Sequence, residues 1–390
     1  MSNKIYSYGK QNIDVADIEA VVEVLKSDWL TQGPAVSRFE EALAEKFGAK
    51  YVSVVSNGTA ALHLTALALG WQPGDVVLTT PMTFLASANC ILYAGATPDF
   101  VDIDESTYTI SPEKLEQKLK ELQAEGKNVK AVVAVDYAGQ PCDWQRLREL
   151  ADTYGFQLVN DNCHALGAEY RNDLQYAVKY ADVVVQSFHP VKHITTGEGG
   201  AVLTNNGEID KSIKILRTHG MTKDENILES NDGPWYYEMH RLGFNYRITD
   251  FQCALGVTQL NKLDRFVKRR REIAGFYNET FGGDERFIIP SVAANVKHAY
   301  HLYPLQINFD NVKTDKKELF AKLRERNIYG QVHYIPVHLQ PYYRKKFGFG
   351  KGDFPVAEKF YEREISIPMY PSLTVEDLSY ITKMFKELVR

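Results

Sequence analysis

Three short stretches of the chain carry residue types that could do chemistry. The first is Ser187-Phe188-His189-Pro190-Val191-Lys192-His193-Ile194-Thr195-Thr196-Gly197-Glu198-Gly199-Gly200. An apolar run delivers Ser187, and the chain then turns irregular and glycine-rich. Such a loop can hold Lys192 inward, away from bulk water. Desolvation and neighbouring positive charge lower a lysine pKa, which makes the amine a usable nucleophile and base near neutrality. An exposed loop lysine is the competing reading, and it is the default for any single lysine. His189 and His193 flank Lys192 and would suit a metal, but their spacing matches no zinc pattern and no third ligand accompanies them. No metal is expected. Gly197, Gly199 and Gly200 precede a strand, whereas a dinucleotide fingerprint follows one, so that reading fails.

The second candidate is Asp161, at the end of Phe156-Gln157-Leu158-Val159-Asn160-Asp161. A carboxylate at a strand terminus of a parallel sheet is partly desolvated and needs a partner. Set opposite a pyridine nitrogen, it would keep that nitrogen protonated and make the ring an electron sink. A turn or helix-cap aspartate has the same appearance. The third is Ser56-Asn57-Gly58-Thr59-Ala60-Ala61-Leu62. A strand ends, a glycine allows close backbone approach, and a helix begins. Free N–H groups and the positive end of the helix dipole then converge on one point, where a phosphate fits. An ordinary N-cap turn reads the same way.

These stretches need a scaffold, and the surrounding pattern describes one. From Asp14 to Gly48 apolar residues recur at helix spacing. Short apolar runs then alternate with helical ones. Strands are expected at 51–56, 76–81, 100–104, 129–139, 156–161, 181–188 and 199–205. Helices are expected at 59–70, near 83–93, from Ser111 and Pro112 to Gly126, and near 143–154. Near-continuous apolar strands alternating with helices mean a largely parallel sheet covered on both faces. Active sites of such sheets lie at the carboxyl ends of the strands, where all three motifs fall. After about Thr249 a long helical run, Leu255 to Phe276, leads into a region with fewer strands. There 302–309 and 329–335 read as strands bracketing a helix, and a helix closes the chain at 375–389. The reading is a large α/β domain over 1–250 and a smaller α+β domain over 251–390.

Composition narrows the function classes. The 390 residues are 44% hydrophobic and 24% charged, with a net charge of −5, the profile of a globular protein with no basic excess for nucleic acid. Lys268, Arg269, Arg270 and Arg271 form the one basic run, read as a solvated or interface face of a helix. Cys90, Cys142, Cys163 and Cys253 form no metal or secreted framework, Met1 to Asp14 lacks a signal-peptide core, and no apolar run is long enough for a bilayer. A cytoplasmic protein is expected, with no membrane partner.

Taken together and in order, Ser56–Leu62, Asp161 with the residues after it, the Lys192 loop and Gly243-Phe244-Asn245-Tyr246-Arg247-Ile248-Thr249-Asp250 resemble the DegT/StrS-type sugar aminotransferases. The resemblance runs from about Tyr6 to the last helix. It implies the aspartate-aminotransferase fold (fold type I), pyridoxal phosphate as cofactor and a homodimer with shared active sites. By that resemblance Lys192 and Asp161 are catalytic, Lys192 bonding the cofactor and moving the proton, Asp161 facing the ring nitrogen. Gly58, Thr59, Ala60 and Ser187 would hold the phosphate, with Asn245 reaching it from the partner subunit. Phe84 would stack on the ring and His164 would lie by its hydroxyl. Core packing is the alternative for Phe84 and His164, and packing is the reading for His63.

Val135–Gly139, Asp161–Gly167, Arg217–Met221 and Gln331–Tyr334 are similar to one subgroup of that family. This subgroup aminates a UDP-linked 4-keto-6-deoxy sugar in pseudaminic acid biosynthesis. The implied partners are a nucleotide-linked keto sugar and L-glutamate, with Tyr6, Thr31, Gln32, Gly33, His333 and Tyr334 as substrate contacts. Two other classes compete. A sugar dehydratase of the same fold would replace the lysine by histidine or add an iron–sulfur site, and Lys192 and the cysteine spacing speak against both. A non-enzymatic binder of cofactor or sugar nucleotide would have no need of the lysine, aspartate and phosphate turn together. Aminotransferases for other UDP-, dTDP- or GDP-linked keto sugars share the same motifs.

Overall fold

The protein is described here by a computed structural model covering residues 4–390; Met1–Asn3 lie outside the described residues. Its centre is a seven-stranded sheet. In spatial order the strands are Tyr51–Val55, Gly200–Thr204, Val183–Ser187, Gln157–Asp161, Val129–Val135, Val76–Thr79 and Thr97–Phe100. All pair in parallel except Gly200–Thr204, which runs antiparallel to both its neighbours. Side chains alternate between faces as the strand pleat requires. Val132, Ala134, Leu158 and Val184 pack into one core layer, and Ala131, Val133, Val159, Val183 and Val185 into the other. Helices such as Pro34–Phe47 and Trp144–Tyr154 cover the first face, and Gly58–Ala68 and Gly207–Leu216 the second.

The helix ends follow from local chemistry. Ser111 caps Pro112–Ala124 with proline at its first position, and Asp143 caps Trp144–Tyr154. Gly48 and Gly155 stop their helices at φ of 68° and 74°, a left-handed turn that glycine makes without a Cβ clash. Among the described residues no helix is long and apolar enough to cross a membrane.

Several expected elements shift, each for a visible reason. The strand sought at 100–104 lies at Thr97–Phe100. The chain leaves the sheet after it because the Asp102 carboxylate accepts the Val356 and Ala357 amides (3.0 and 2.9 Å), capping the helix Pro355–Arg363. The long helical run breaks into Asp250–Leu260 and Leu263–Phe281. At the break Gln259 donates to the Asn12 carbonyl and the Asp17 carboxylate, tying it to the N-terminal segment. The strand expected at 329–335 shrinks to Ile328–Tyr329, paired in parallel with Tyr6–Ser7, and a bridge from Gln331 to Ser366. Beyond it the His333 amide goes to the Glu364 carboxylate and the Tyr334 amide to the Met82 sulfur, so no ladder continues. The strand Glu364–Ile367, which pairs antiparallel with Tyr303–Ile307, was not anticipated.

Only part of the basic run is a solvated face: Lys268 is exposed, but the residues after it turn inward. Arg270 is wholly buried and donates to the carbonyls of Tyr300, His301 and Met369 (2.8–3.2 Å). Arg271 donates to the carbonyls of His298 and Gly167. The core of the sheet layers reaches Val267, and a second core begins at Ile273, so the helix Leu263–Phe281 serves both.

One buried carboxylate organises the strand ends. Asp136, just past Val129–Val135, accepts five donors: the Cys142 amide, Trp144 Nε1, Asn160 Nδ2, Asn162 Nδ2 and the Tyr176 hydroxyl, at 2.7–3.1 Å. Two of those donors flank Asp161. Asp136→Ala would strand four of them, Asn162 Nδ2 keeping its bond to the Tyr176 hydroxyl at 2.8 Å, and breaking such a buried network costs about 3–5 kcal/mol. A clear fall in the urea midpoint is expected, and an unchanged midpoint would refute it.

Candidate active site

The lysine loop is a twelve-residue excursion, 188–199, between two paired strands. Ser187 sits opposite Gly200 in the antiparallel register, which closes the loop at its base. The loop then braces itself. Phe188 donates to the Gly199 carbonyl, Thr196 to the Phe188 carbonyl, and the Thr195 hydroxyl to the same carbonyl (2.8–3.0 Å). His193 Nε2 meets the Ala299 carbonyl at 3.1 Å, tying the loop to the segment that leads into the strand Tyr303–Ile307. His193 is therefore a packed histidine. Lys192 points into the protein. Burial lowers its pKa from the ordinary lysine value, while Cys163 and Asp161 pull it the other way. The amine and the carboxylate are thus electrostatic neighbours.

Asp161 ends its strand with its carboxylate held from two sides. Oδ2 accepts the Ser87 hydroxyl at 2.6 Å, and Oδ1 accepts the Cys163 amide at 3.2 Å. The Thr83 and Ser87 hydroxyls are themselves 2.8 Å apart. Ser87 and Thr83 were missed from sequence, although both stand within four residues of Phe84. Cys163 was read only as one of four cysteines.

The turn at Asn57 has two functions at once. The Asn57 side chain accepts the Ala60 amide at 2.8 Å, a regular N-cap. Ala60 is therefore committed to the cap and buried, and the first-turn amides of Gly58 and Thr59 are the ones available. Glycine is required here by contact. A Cβ on Gly58 would lie 2.9 Å from the Ser187 Cβ, and one on Gly200 would lie 2.5 Å from the Asn57 carbonyl oxygen. The Ser187 hydroxyl therefore stands beside the helix N-terminus, and the two candidate phosphate donors share one place.

His164 is buried. Its Nδ1 accepts the Ala138 amide (3.3 Å), which leaves Nε2–H to face the Tyr334 hydroxyl at 3.0 Å. Burial and the Lys192 charge hold it neutral by pushing its pKa well below the usual histidine value. Phe84 is 54% exposed, which removes core packing as its role, and its ring lies 5.9 Å from that of Tyr334. His333 is buried with its ring 4.9 Å from those of Tyr8 and Tyr334.

The remaining candidates lie elsewhere. Tyr6 is buried in the second core with its ring 5.5 Å from Tyr380, so Tyr8 is the tyrosine that reaches His333. Thr31 bridges to Thr249, and Gln32 and Gly33 line a cavity of about 190 Å³ together with Arg217 and Arg247. Asn245 is exposed and bridges to Thr218. His63 is packed among Tyr93, Phe244 and Tyr246. Among the described residues no group of three or more His, Cys, Asp or Glu is arranged to hold a metal.

Residues 11–386 match the DegT/DnrJ/EryC1/StrS aminotransferase family. The chain belongs to that family. It is 40% identical over 375 residues to a UDP-4-amino-4,6-dideoxy-N-acetyl-β-L-altrosamine transaminase of Campylobacter jejuni, covering 96% of this chain and 95% of the relative. Helicobacter pylori PseC, an aminotransferase of pseudaminic acid biosynthesis, superposes with a TM-score of 0.89 at 34% identity, over 99% of both chains. A putative sugar aminotransferase of Streptococcus pneumoniae has been solved in pyridoxal-phosphate and pyridoxamine-phosphate forms. These match at TM-scores of 0.87 and 0.88 and 29% identity, over 99% of this chain and 98–99% of theirs.

The family member described here is therefore a pyridoxal-phosphate-dependent aminotransferase of fold type I. The residues present fit that cofactor. A helix N-terminus with open amides and a serine hydroxyl suits the phosphate, a strand-end carboxylate suits a ring nitrogen, and an inward lysine suits the aldehyde. The Ser87 bond to Asp161 leads to a test. Ser87→Ala removes a hydrogen bond to a charged group, an effect of about 1.5–3 kcal/mol. A fall in kcat of about tenfold or more is expected, with cofactor still bound by absorbance. Unaltered kcat would detach Ser87 from the site.

Proposed function

We propose that this enzyme aminates a UDP-linked 4-keto-6-deoxy sugar, UDP-4-keto-6-deoxy-L-N-acetylaltrosamine, with L-glutamate as donor, as a step of pseudaminic acid biosynthesis. The observation that carries the reaction class is the inward Lys192 with its pKa lowered beside Asp161. The likeness to the Campylobacter and Helicobacter proteins supports the substrate.

Bound pyridoxal phosphate supplies a ring that takes up the electron pair left when a proton leaves the amino-acid carbon. Lys192 would hold the cofactor through its Nζ and, when free of it, would move that proton. Asp161 keeps the ring nitrogen protonated, with Ser87 and the Cys163 amide fixing its two oxygens. Gly58, Thr59 and Ser187 hold the phosphate. Exposed Phe84 would be available to the ring, and His164, neutral and donating from Nε2 toward Tyr334, would be available to its hydroxyl. His333 and Tyr334 meet the sugar nucleotide from the second domain. The nucleotide supplies binding energy remote from the reacting carbon.

The working unit in this reading is a homodimer. Trp235, Tyr237, Met239 and Leu242 are all exposed in the segment before Asn245, and Ile18, Leu25, Trp29 and Leu30 are exposed near Thr31. Apolar patches of this kind mark interfaces. A second copy seated there would bring Asn245 to the neighbouring phosphate site and could bring Thr31, Gln32 and Gly33 to its substrate.

Lys192→Ala is expected to abolish both borohydride-fixed pyridoxal phosphate and turnover, and turnover retained would remove the lysine from the mechanism. Incubation with glutamate and a panel of UDP-, dTDP- and GDP-linked keto sugars, read by NMR, decides the substrate. Preferential amination of any other sugar would overturn the assignment. Mixing inactive Lys192→Ala and inactive Asn245→Asp chains should restore about a quarter of wild-type activity, because half the dimers are hybrids with one intact site. No restoration would mean that each site is built from one chain.

A further inference from the structure

His333 is held from behind by two residues that the reaction outlined above does not use. Its Nδ1 lies 2.9 Å from the Ser366 hydroxyl. That hydroxyl donates to Glu364 Oε1 at 2.5 Å. The other carboxylate oxygen, Oε2, accepts the His333 backbone amide at 3.0 Å. Glu364 and Ser366 have no exposed surface, and His333 is 5% exposed. The result is a closed, directional chain of three groups, with Nε2 as the remaining ring nitrogen.

Direction decides the tautomer. When Glu364 is ionised it can only accept, so Ser366 must donate to it. The Ser366 oxygen then accepts from His333, the proton sits on Nδ1, and Nε2 is an acceptor. When Glu364 carries a proton on Oε1, it donates to Ser366. Ser366 then donates to Nδ1, and the ring proton sits on Nε2. We infer that Ser366 and Glu364 form a buried relay that sets which nitrogen of His333 carries the proton, and so whether Nε2 meets its ligand as acceptor or donor. That the ligand is a hydroxyl or keto oxygen of the sugar nucleotide rests on the function proposed above.

The step balances without a further reactant. A proton from solvent or ligand adds to Nε2, the Nδ1 proton passes to the Ser366 oxygen, and the Ser366 proton passes to Glu364 Oε1. The ring is neutral before and after; Glu364 takes up the proton and loses its charge. The surroundings suit this. Burial pushes the Glu364 carboxyl up toward neutrality, while the Lys316 ammonium opposes that shift. Lys316 is itself lowered by burial and faces Glu362 as well as Glu364. On the other side, burial and the Lys192 charge hold the His333 ring down to about 3, so the imidazolium does not form in this range. Tyr137 donates to the His333 carbonyl, and the rings of Tyr8 and Tyr334 pack against His333; burial raises all three phenols, which stay protonated. Glu364, pushed up to about 7, therefore changes charge near neutral pH, next to Lys316, lowered to about 8; within the hydrogen-bonded chain itself Glu364 is the group that takes up the proton. Ser366 and Glu364 are positioning residues.

The test reads the tautomer directly on the holoenzyme. Protein labelled with ¹⁵N in its histidine rings is followed by long-range ¹H–¹⁵N spectra from about pH 5.5 to 8.5, a window bracketing ordinary histidine titration, with His333→Gln identifying the His333 signals. The expected result is an Nδ1–H ring at the alkaline end that converts to Nε2–H on acidification. Glu364→Gln should lock the ring as Nε2–H at every pH. The His333 amide demands an acceptor, so the glutamine oxygen faces it and the NH₂ group faces Ser366, as a protonated glutamate would. Ser366→Ala should abolish the pH response, and Ser366→Thr, which keeps the hydroxyl, should restore it. A wild-type ring in one tautomer throughout, or Nδ1–H in Glu364→Gln, overturns the relay. This readout needs no sugar, so it stands or falls separately from the substrate assignment. The reading of His333 as a sugar-nucleotide contact fails instead if His333→Ala leaves the sugar-nucleotide KM unaltered.

Discussion

The structure depends on keeping an amine and a carboxylate close together at the end of a parallel sheet. Taking charges out of water is costly unless each finds a compensating partner. The fold meets that cost locally. Asp161 receives a hydroxyl and an amide, one on each oxygen. Lys192 is left with burial lowering its pKa and Asp161 and Cys163 raising it. Burial and the facing carboxylate thus act on the Lys192 amine in opposite directions, a balance that the proposed proton transfer would use.

The supports of this arrangement are spread over the chain. The antiparallel strand Gly200–Thr204 closes the lysine loop and also lines Gly200 against the Asn57 turn, so one strand positions both the amine and the phosphate cradle. Asp136 gathers Asn160 and Asn162 on either side of Asp161. Buried Arg270 ties Leu263–Phe281 to the segment Tyr300–His301 and to Met369. The C-terminal part of the chain sends His333 and Tyr334 back to the strand ends, where Tyr334 meets His164. The site is assembled where the two cores meet.

Much of this was legible along the chain. The alternation of apolar strands and helices determined a parallel sheet, and capping residues such as Ser111, Pro112 and Asp143 placed helix starts to within a residue. Lys192, Asp161, Gly58 and Ser187 stood out because each lies at a strand end, a feature that local sequence carries. The boundaries at 100–104, 255–276 and 329–335 were not legible. There Asp102, Gln259 and Glu364 take backbone or side-chain partners from segments over thirty to about 250 residues away.

Sequence alone pointed to the reaction class through the joint, ordered occurrence of motifs that resemble one family, while each motif taken singly left an ordinary structural reading open. Tertiary structure decided which polar groups find each other across the fold. It turned Arg270 from a surface charge into a buried tie, committed Ala60 to a cap and Tyr6 to a core, and joined Ser87 to Asp161 and Glu364 to His333. The reason is the cost of burying an unsatisfied polar group. It forces pairings over any sequence distance, and no local pattern records them.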